Sequence, residues 1–263
     1  VVLANGTTLR ARLVVGADGL RSVVARRLAL GVHGRWPRRV ALVSHYEGVA
    51  GMGLHGEMHV ERDGYVGFAC VDSGLVNVSL VVPASDAHLA ASDPAAFVAQ
   101  WLDRKRQLAS RFRGARRCSP VRATGPFAWS TRRAWAPGAA LVGDAADFFD
   151  PFTGEGIYAA VRGAELLAPY AHSACTATDA RREHEALAAY DRCRRDVFGG
   201  KWKVERLVGL AVACPAFMNR AARGLARRRD LADTFVGVTG DVVPASAILR
   251  PSFVLALTRA SLS

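Results

Sequence analysis

The stretch 139–168 constrains the fold of this chain more than any other segment. It begins with an apolar run that ends at Gly143-Asp144, and it continues through a loop bent by Pro151 and Gly154. From Gly156 onward, apolar and small residues recur at i, i+3 and i+4, which predicts a helix with one close-packing face. The residues on that face are Ile157, Ala160, Val161, Ala164, Leu167 and Ala168. A buried strand, an acidic turn and a helix in this order are typical of α/β proteins that bind ligands at strand ends.

A second segment near the start has the same design. A short apolar run, Leu13 to Val15, ends in Gly16-Ala17-Asp18-Gly19, and a short helical pattern follows. We expect a buried strand that stops at the acidic residue and leads into a helix.

Between these segments the pattern changes to alternating, β-rich sequence. Turn residues rich in Gly and Asp separate four candidate strands, which predicts an antiparallel meander. The candidate strands are 40–46, 57–61, 65–71 and 76–82. Asp93 and Pro94 then predict the start of a helix that runs to about Leu108. A further strand is expected from about Ala123 to Ser130.

Composition excludes several classes of protein. Of the 263 residues, 51% are hydrophobic, so the chain can form a packed core and is not mainly disordered. Lys and Arg total 35 against 23 Asp and Glu, a net charge of +12. This charge allows a nucleic-acid, anionic-membrane or phosphorylated-substrate partner, but the arginines occur as scattered pairs, which favours a basic solvated surface, and no nucleic-acid partner is expected.

Cysteine and histidine patterns predict neither disulfides nor a metal site. The five cysteines include no C-x-x-C pair, which favours a reducing, cytoplasmic compartment. His55 and His59 are four residues apart, but glycines surround them in a strand-and-turn context, so we expect no metal there. No apolar run is long enough to span a membrane.

Two groups in the stretch 139–168 have suitable chemistry for a ligand. Asp144 at a strand end can accept hydrogen bonds from two hydroxyl groups. The helix start at Gly156 presents free N–H groups and a positive dipole end to a group that becomes negative.

Two segments resemble the second and third FAD fingerprints of flavoproteins folded like para-hydroxybenzoate hydroxylase. They are Gly16-Ala17-Asp18-Gly19-x-x-Ser22 and Gly143-Asp144-Ala145-Ala146 through Gly156. The resemblance implies that Asp144, after Gly143, holds the ribityl chain of FAD, and that Asp18 and Gly19 lie near the pyrophosphate. It also implies which residues border the isoalloxazine, namely Pro151, Gly154, Glu155, Gly156 and Ile157.

Within this superfamily the loop sequence looks most like the geranylgeranyl reductase branch. Hydroxylases commonly have His where this chain has Asp147 and Gln where it has Glu155. The resemblance implies reduction of a C=C bond in a hydrophobic small molecule, with NAD(P)H or another electron donor. The alternative is an NAD(P)H-dependent monooxygenase that hydroxylates or epoxidises such a substrate. No catalytic acid or base is identified; His45, Tyr46 and Tyr65 are candidates as polar groups on the substrate sheet.

The family's first fingerprint is a G-x-G-x-x-G on a strand–turn–helix that receives the ADP half of FAD, and no predicted strand–turn–helix of this sequence carries it. Because the chain also starts at Val1 within a hairpin pattern, we expect an N-terminal truncation.

The expected fold class is α/β, with a split, Rossmann-like FAD-binding domain, an inserted antiparallel β-sheet substrate domain and C-terminal helices. The expected boundaries are 1–36 and 134–175 for the FAD-binding domain, 37–133 for the substrate domain and 176–263 for the helical region.

The C-terminal region is basic and helical, with expected helices at 183–206 and 207–225. A basic amphipathic helix can lie on an anionic membrane, so peripheral membrane contact is an open alternative to simple packing. A non-catalytic basic module that binds membranes or nucleic acid is the remaining alternative to an enzyme.

Overall fold

The computed structural model describes residues 1–33, 38–72 and 74–260. The chain forms two compact units, each built from separate stretches of sequence. The first unit comprises Val1–Gly34, Ala128–Leu207 and Arg228–Leu257, and the second comprises Arg35–Phe127, Val208–Arg227 and Thr258–Ser263.

The helices and strands, in chain order, are β1 (Val14–Gly16), α1 (Val23–Arg27), β2 (Gly31–His33), β3 (Arg39–Glu47), β4 (Glu57–Glu61), β5 (Gly64–Asp72), β6 (Leu75–Pro83), α2 (Ala87–Ser92), α3 (Pro94–Asp103), α4 (Arg106–Phe112), β7 (Arg116–Arg117), β8 (Arg122–Thr124), β9 (Trp129–Thr131), β10 (Trp135–Ala136), β11 (Ala139–Leu141), β12 (Asp147–Phe148), α5 (Gly156–Thr176), α6 (Ala180–Val212), α7 (Pro215–Arg227), α8 (Arg229–Thr239), α9 (Ser246–Leu249) and α10 (Pro251–Ala260).

The first unit contains two small sheets. In one, β1 pairs in parallel with β11, and β10 pairs with β11 in the antiparallel direction. In the other, β9 lies between β12 and β2, with both pairings antiparallel. The parallel pair matters for function because it brings the carboxyl ends of β1 and β11 to the same edge.

Helix α6 packs against the first sheet through buried polar contacts as well as apolar ones. Tyr190, which is fully buried, donates a hydrogen bond to the carbonyl oxygen of Leu141 at 2.7 Å. The Asp191 carboxylate accepts a hydrogen bond from the backbone N–H of Ala134 at 2.8 Å. These contacts fix the helix relative to the strand that carries the acidic turn.

The face of α5 that packs on the sheet differs from the expected one. Gly163, Leu167 and Ala174 are buried, whereas Ile157 is 83% exposed and Val161 is 57% exposed. The reason is the close approach at Gly163, where a Cβ would lie 3.0 Å from a methyl group of Val142. This contact turns Gly163 toward the sheet, so most of the expected apolar stripe is exposed to solvent.

The second unit is built on one antiparallel sheet with the order β4-β5-β6-β3, and β7 and β8 both pair with β3. The four expected strands are present, with bounds within one residue of those predicted. The expected meander is only partly correct, because β3 pairs with β6 and not with β4. The long Gly-rich connection 48–56 allows the chain to cross the sheet before β4 begins.

One face of this sheet packs against α2, α3 and α4 and forms the core of the unit. Asp93 caps α3 as expected, since its side chain accepts hydrogen bonds from the N–H groups of Ala95 and Ala96. The expected single helix 94–108 is wrong, because α3 ends at Asp103 and α4 begins at Arg106. The side chain of Lys105, between them, binds Asp63 at 2.5 Å and fixes the break.

The expected strand 123–130 is also two strands. β8 ends at Thr124, and β9 begins at Trp129 in the other unit. Pro126 lies between them and has no N–H group to donate to a sheet.

The C-terminal helices are longer and differently divided than expected. α6 extends from Ala180 to Val212 as one helix, and α7 begins at Pro215, which is favourable in the first turn of a helix. Among the described residues, no helix is both long enough and apolar enough to cross a membrane.

Candidate functional site

The two acidic segments lie at the same edge of the first sheet. In the β1–β11 pair, Gly16 is opposite Leu141, and the N–H of Val142 donates to the carbonyl oxygen of Gly16 at 3.0 Å. Asp18 and Asp144 each follow one of these strands by two or three residues. The candidate site therefore begins at the carboxyl end of a parallel strand pair.

The Asp18 carboxylate is bound to its own backbone. It accepts hydrogen bonds from the N–H groups of Val23 at 2.6 Å and Val24 at 3.4 Å, at the start of α1. Burial raises the pKa of Asp18, but hydrogen bonds from Ser22 and from the backbone outweigh it, and the pKa falls below its usual value. Gly19 has φ +75°, a left-handed conformation that lets the chain turn into the helix. Asp18 and Gly19 therefore shape this turn.

The turn after β11 packs tightly under α5. Gly143 has φ +60°, and a Cβ on it would lie 3.2 Å from the Cβ of Ala160. Together with Gly163, this glycine allows the helix to lie close to the strand end. The first turn of α5 is thereby held beside the acidic turn.

Asp144 is half-buried and has no hydrogen-bond or ion-pair partner among the described residues. Burial raises the pKa of its carboxyl group. A Cβ on Gly156, the first residue of α5, would be 3.9 Å from the Asp144 Oδ1 atom, and nothing else would lie within 4 Å. An acceptor group and the unpaired N–H groups of a helix N-terminus therefore lie next to each other.

The loop that leads into α5 is held by its own side chains. The Asp150 side chain accepts a hydrogen bond from the N–H of Phe152 at 3.1 Å, over a single 3₁₀ turn that starts at Pro151. Gly154 follows with φ +75°. Glu155 occupies the N-cap position of α5, and its side chain forms no capping hydrogen bond.

Glu155 instead points into a buried ionic cluster. It is 8% exposed, and its Oε1 atom lies 3.1 Å from the Nζ atom of Lys201, which is 7% exposed. Lys201 also lies 3.4 Å from the Oδ1 atom of Asp241 and 4.2 Å from the ring centre of Tyr158. Burial raises the pKa of Glu155, and Lys201 offsets only part of the rise. The cluster ties α6 and the loop after α8 to the start of α5.

These elements surround a cavity of about 240 Å³. The expected site residues Gly143, Asp144, Pro151, Gly154, Glu155, Gly156 and Ile157 all line it. Asp18 and Gly19 do not. Helix α6 supplies lining residues that sequence reasoning missed: Arg194, Phe198, Trp202 and Glu205.

Asp147, at the position where the resemblance suggested a histidine, forms a close ion pair with Arg194. Both side chains are nearly buried, and the Arg194 guanidinium lies 4.8 Å from the ring centre of Trp202. Residues 147 and 194 are far apart in sequence, so no local pattern could have predicted the pair.

The candidates on the sheet of the second unit lie on different faces. Tyr46 is buried in the core against α4, with its ring 5.3 Å from that of Phe112, and burial raises the pKa of its hydroxyl group. His45 and Tyr65 are on the opposite face. The Nδ1 atom of His45 lies 3.1 Å from the hydroxyl oxygen of Ser119, whereas Tyr65 is 2% exposed.

His59 is engaged with a carboxylate, since its Nε2 atom lies 2.9 Å from Glu57. Within the described ranges, no group of three or more His, Cys, Asp and Glu residues converges as a metal site would require.

The cavity residues fit one half of FAD. The unpartnered Asp144 carboxylate suits ribityl hydroxyl groups, and the side-chain-free start of α5 at Gly156 suits the edge of a flat ring that becomes negative. The string Gly51-Met52-Gly53-Leu54-His55-Gly56 matches G-x-G-x-x-G, but it is followed by strand β4 and not by a helix, so it lacks the setting that binds the ADP half.

The fold of this chain is similar to that of several solved flavin-dependent enzymes. The chain matches the flavin-dependent brominase Bmp2 over 94% of its own length and 63% of that chain, with TM-score 0.74 and 18% identity. It matches the myxobacterial chondrochloren halogenase CndH over 97% and 62%, with TM-score 0.64 and 19% identity. It matches PqsL, a probable FAD-dependent monooxygenase from Pseudomonas aeruginosa, over 81% and 60%, with TM-score 0.60 and 23% identity.

The chain spans only part of these structures, from 35% of the flavin-dependent halogenase CmlS to 64% of a Bmp2 variant. No protein-family model and no curated protein matches the sequence. The chain therefore has an α/β fold similar to that of flavin-dependent halogenases and of a probable FAD-dependent monooxygenase, with antiparallel sheets and C-terminal helices.

Proposed function

We propose that this chain is the ring-binding and substrate-binding part of an FAD-dependent oxidoreductase that acts on a hydrophobic organic molecule. The observation that carries the proposal is the Asp144 carboxylate, which has no partner among the described residues and lies beside the start of α5. In a fold found in flavin enzymes, this is an acceptor placed for a polyhydroxyl chain.

The chemistry that we favour is oxidation. The similar solved structures are halogenases, a brominase and a probable monooxygenase, which supports the monooxygenase alternative over reduction of a C=C bond. Reduction remains the second candidate because the string Pro151 to Tyr158 resembles geranylgeranyl reductases. In either reaction NAD(P)H or another donor would supply electrons to the cofactor.

FAD, when bound, would supply the electron transfer, and the protein would bind and orient. Asp144 would accept hydrogen bonds from the ribityl hydroxyl groups. The N–H groups at the start of α5 would stabilise negative charge on the ring edge. The Glu155–Lys201 pair would hold the loop beside the ring.

The first test is a titration of the chain with riboflavin, FMN and FAD, followed by flavin fluorescence. Because the residues present fit only the ribityl and ring half, we expect the three ligands to bind with affinities within about threefold of each other, a free-energy difference of about 0.7 kcal/mol or less. Asp144→Asn removes a charged acceptor worth roughly 1.5–3 kcal/mol per hydrogen bond and should weaken binding at least tenfold, by about 1.4 kcal/mol.

The matched control is Asp196→Asn, the same change at an exposed position on α6. It should leave all three affinities unchanged. If none of the flavins binds, or if both variants weaken binding equally, the flavin assignment is wrong. Salt-sensitive binding to anionic vesicles or DNA without flavin uptake would then favour the basic binding module.

Oxygen distinguishes the two kinds of flavin chemistry. With the cofactor bound and reduced, a monooxygenase or halogenase consumes oxygen when it modifies its substrate, whereas a C=C reductase forms product under strictly anaerobic conditions. Product formation without oxygen would overturn the preference for oxidation and leave the FAD assignment intact.

We also propose that a basic helical surface of the chain contacts the membrane surface peripherally. α7 is strongly amphipathic and carries Arg220, Arg223 and Arg227. Sedimentation with vesicles that contain anionic lipid, at low and high salt, tests it; contact through arginines should be lost at high salt.

A further inference from the structure

Glu205 is a cavity-lining carboxyl group to which nothing above assigns a role. It lies one helical turn after Lys201 on α6, is only partly exposed, and lines the same cavity as Asp144. Within the described ranges it has no hydrogen-bond or ion-pair partner. A carboxyl group that lines a cavity and has no protein partner is available to a ligand.

The charged groups around Glu205 favour its neutral form. Burial has the largest effect, and the carboxylates of Glu155 and Asp150 add to it, so that the pKa of Glu205 rises to about 7 despite Lys201 and Arg206.

Both neighbouring cations are engaged elsewhere. Lys201 lies against Glu155 and Asp241, and the Arg206 guanidinium is 4.6 Å from the ring centre of Phe149. The remaining cation of the cavity, Arg194, is paired with Asp147. Asp144 adds a further carboxylate to the lining.

A neutral carboxylic acid differs from its neighbours in one respect: it can donate a hydrogen bond, whereas an ionised carboxylate only accepts. Such a donor suits a carbonyl oxygen or ring nitrogen of a ligand.

We propose that Glu205 binds as the neutral acid to an acceptor atom of the flavin ring, and that occupancy of the cavity is linked to its protonation. This inference rests on the proposed function, because it assumes that the flavin occupies the cavity. The proton stays on the Glu205 oxygen and is shared with the acceptor atom, and no other bond changes.

Riboflavin is a suitable probe because it has no phosphate to titrate near neutral pH. If only the protonated fraction binds, the apparent affinity of the wild-type chain should fall about 30-fold from about pH 6 to about pH 8.5. Calorimetry near pH 7, in two buffers of different ionisation enthalpy, should show uptake of about half a proton per riboflavin bound.

Glu205→Gln is the decisive variant, because glutamine donates a hydrogen bond at every pH. It should bind riboflavin with nearly the low-pH affinity of the wild type, without pH dependence and without proton uptake. Glu165→Gln, on the exposed side of α5 where Glu165 pairs with Arg162, is the matched control and should keep the wild-type pH profile.

The outcomes separate the two proposals. Riboflavin binding that is independent of pH, or that keeps its pH slope in Glu205→Gln, overturns the role of Glu205 and leaves the flavin site standing. Failure of the wild type to bind riboflavin at any pH overturns the flavin site and this inference with it.

Discussion

At the residue scale, the second unit contains one ion pair with unusual geometry. Both terminal nitrogens of Arg111 donate to the two carboxylate oxygens of Glu57, at 2.5 and 2.9 Å, and its Nε donates to the carbonyl oxygen of Ala50 at 2.7 Å. The hydrogen bond from Arg111 is the main reason that the pKa of Glu57 falls to about 2, although burial opposes it. Since the folded pKa is below the unfolded one, the pair stabilises the fold above about pH 4.5, and this is lost as pH falls toward about 2.

We therefore expect Glu57→Gln to lower the free energy of unfolding by about 2 kcal/mol at neutral pH. In this variant the free energy of unfolding should also change less as the pH falls into the acid range. Urea unfolding at several pH values measures both effects. Glu47→Gln makes the same change in an exposed pair with Arg116 and should cost less than about 1 kcal/mol. Equal losses in the two variants would show that geometry and burial at Glu57 contribute nothing.

At the scale of elements, the sequence located the four long strands and the start of α3, but it missed the break between α3 and α4 and the buried face of α5. The Asp93 cap and the four long strands follow from local chemistry: side-chain acceptors at a helix start and alternating apolar residues. The break between α3 and α4 depends on Lys105 binding Asp63, which is distant in sequence. The buried face of α5 depends on contact between Gly163 and Val142, which periodicity does not contain.

The cap of α3 gives a prediction at this scale. Asp93→Ala removes the acceptor for two backbone N–H groups and should lower the free energy of unfolding by about 1 kcal/mol. Asp86 occupies the N-cap position of α2 but forms no capping hydrogen bond, so Asp86→Ala should cost less than half as much. Denaturant unfolding of the two variants measures the difference, and equal costs would contradict a specific role for the cap.

At the scale of the whole molecule, two carboxyl groups, one in each unit, have pKa values shifted in opposite directions. Glu57, in the second unit, loses its stabilising effect in acid. Glu205, in the first unit, has a raised pKa, so the folded state binds its proton more tightly than the unfolded chain does. Its contribution is complete below about pH 4.5 and is lost as pH rises through about 7.

Stability should therefore be greatest near about pH 5. The decline on the acid side should be absent in Glu57→Gln, and the decline toward neutral pH should be absent in Glu205→Gln. Because the partners of each residue lie in separate units, the double variant should show the sum of the two effects within about 0.5 kcal/mol. Urea unfolding across this range is the measurement, and strong non-additivity would contradict independent effects.

The sequence by itself determined the two buried strands, the acidic turns that follow them, the inserted antiparallel sheet and the α/β fold class. These features are encoded locally, in short apolar runs, turn glycines and helix starts. Only the tertiary structure decided what completes the cavity. Lys201 and Glu205 come from α6, whose charged residues resemble any solvated helix face in the sequence. Lys201 is buried beside Glu155, and Glu205 lines the same cavity, because α6 packs against the sheet. A contact between residues so far apart in sequence leaves no periodic signal.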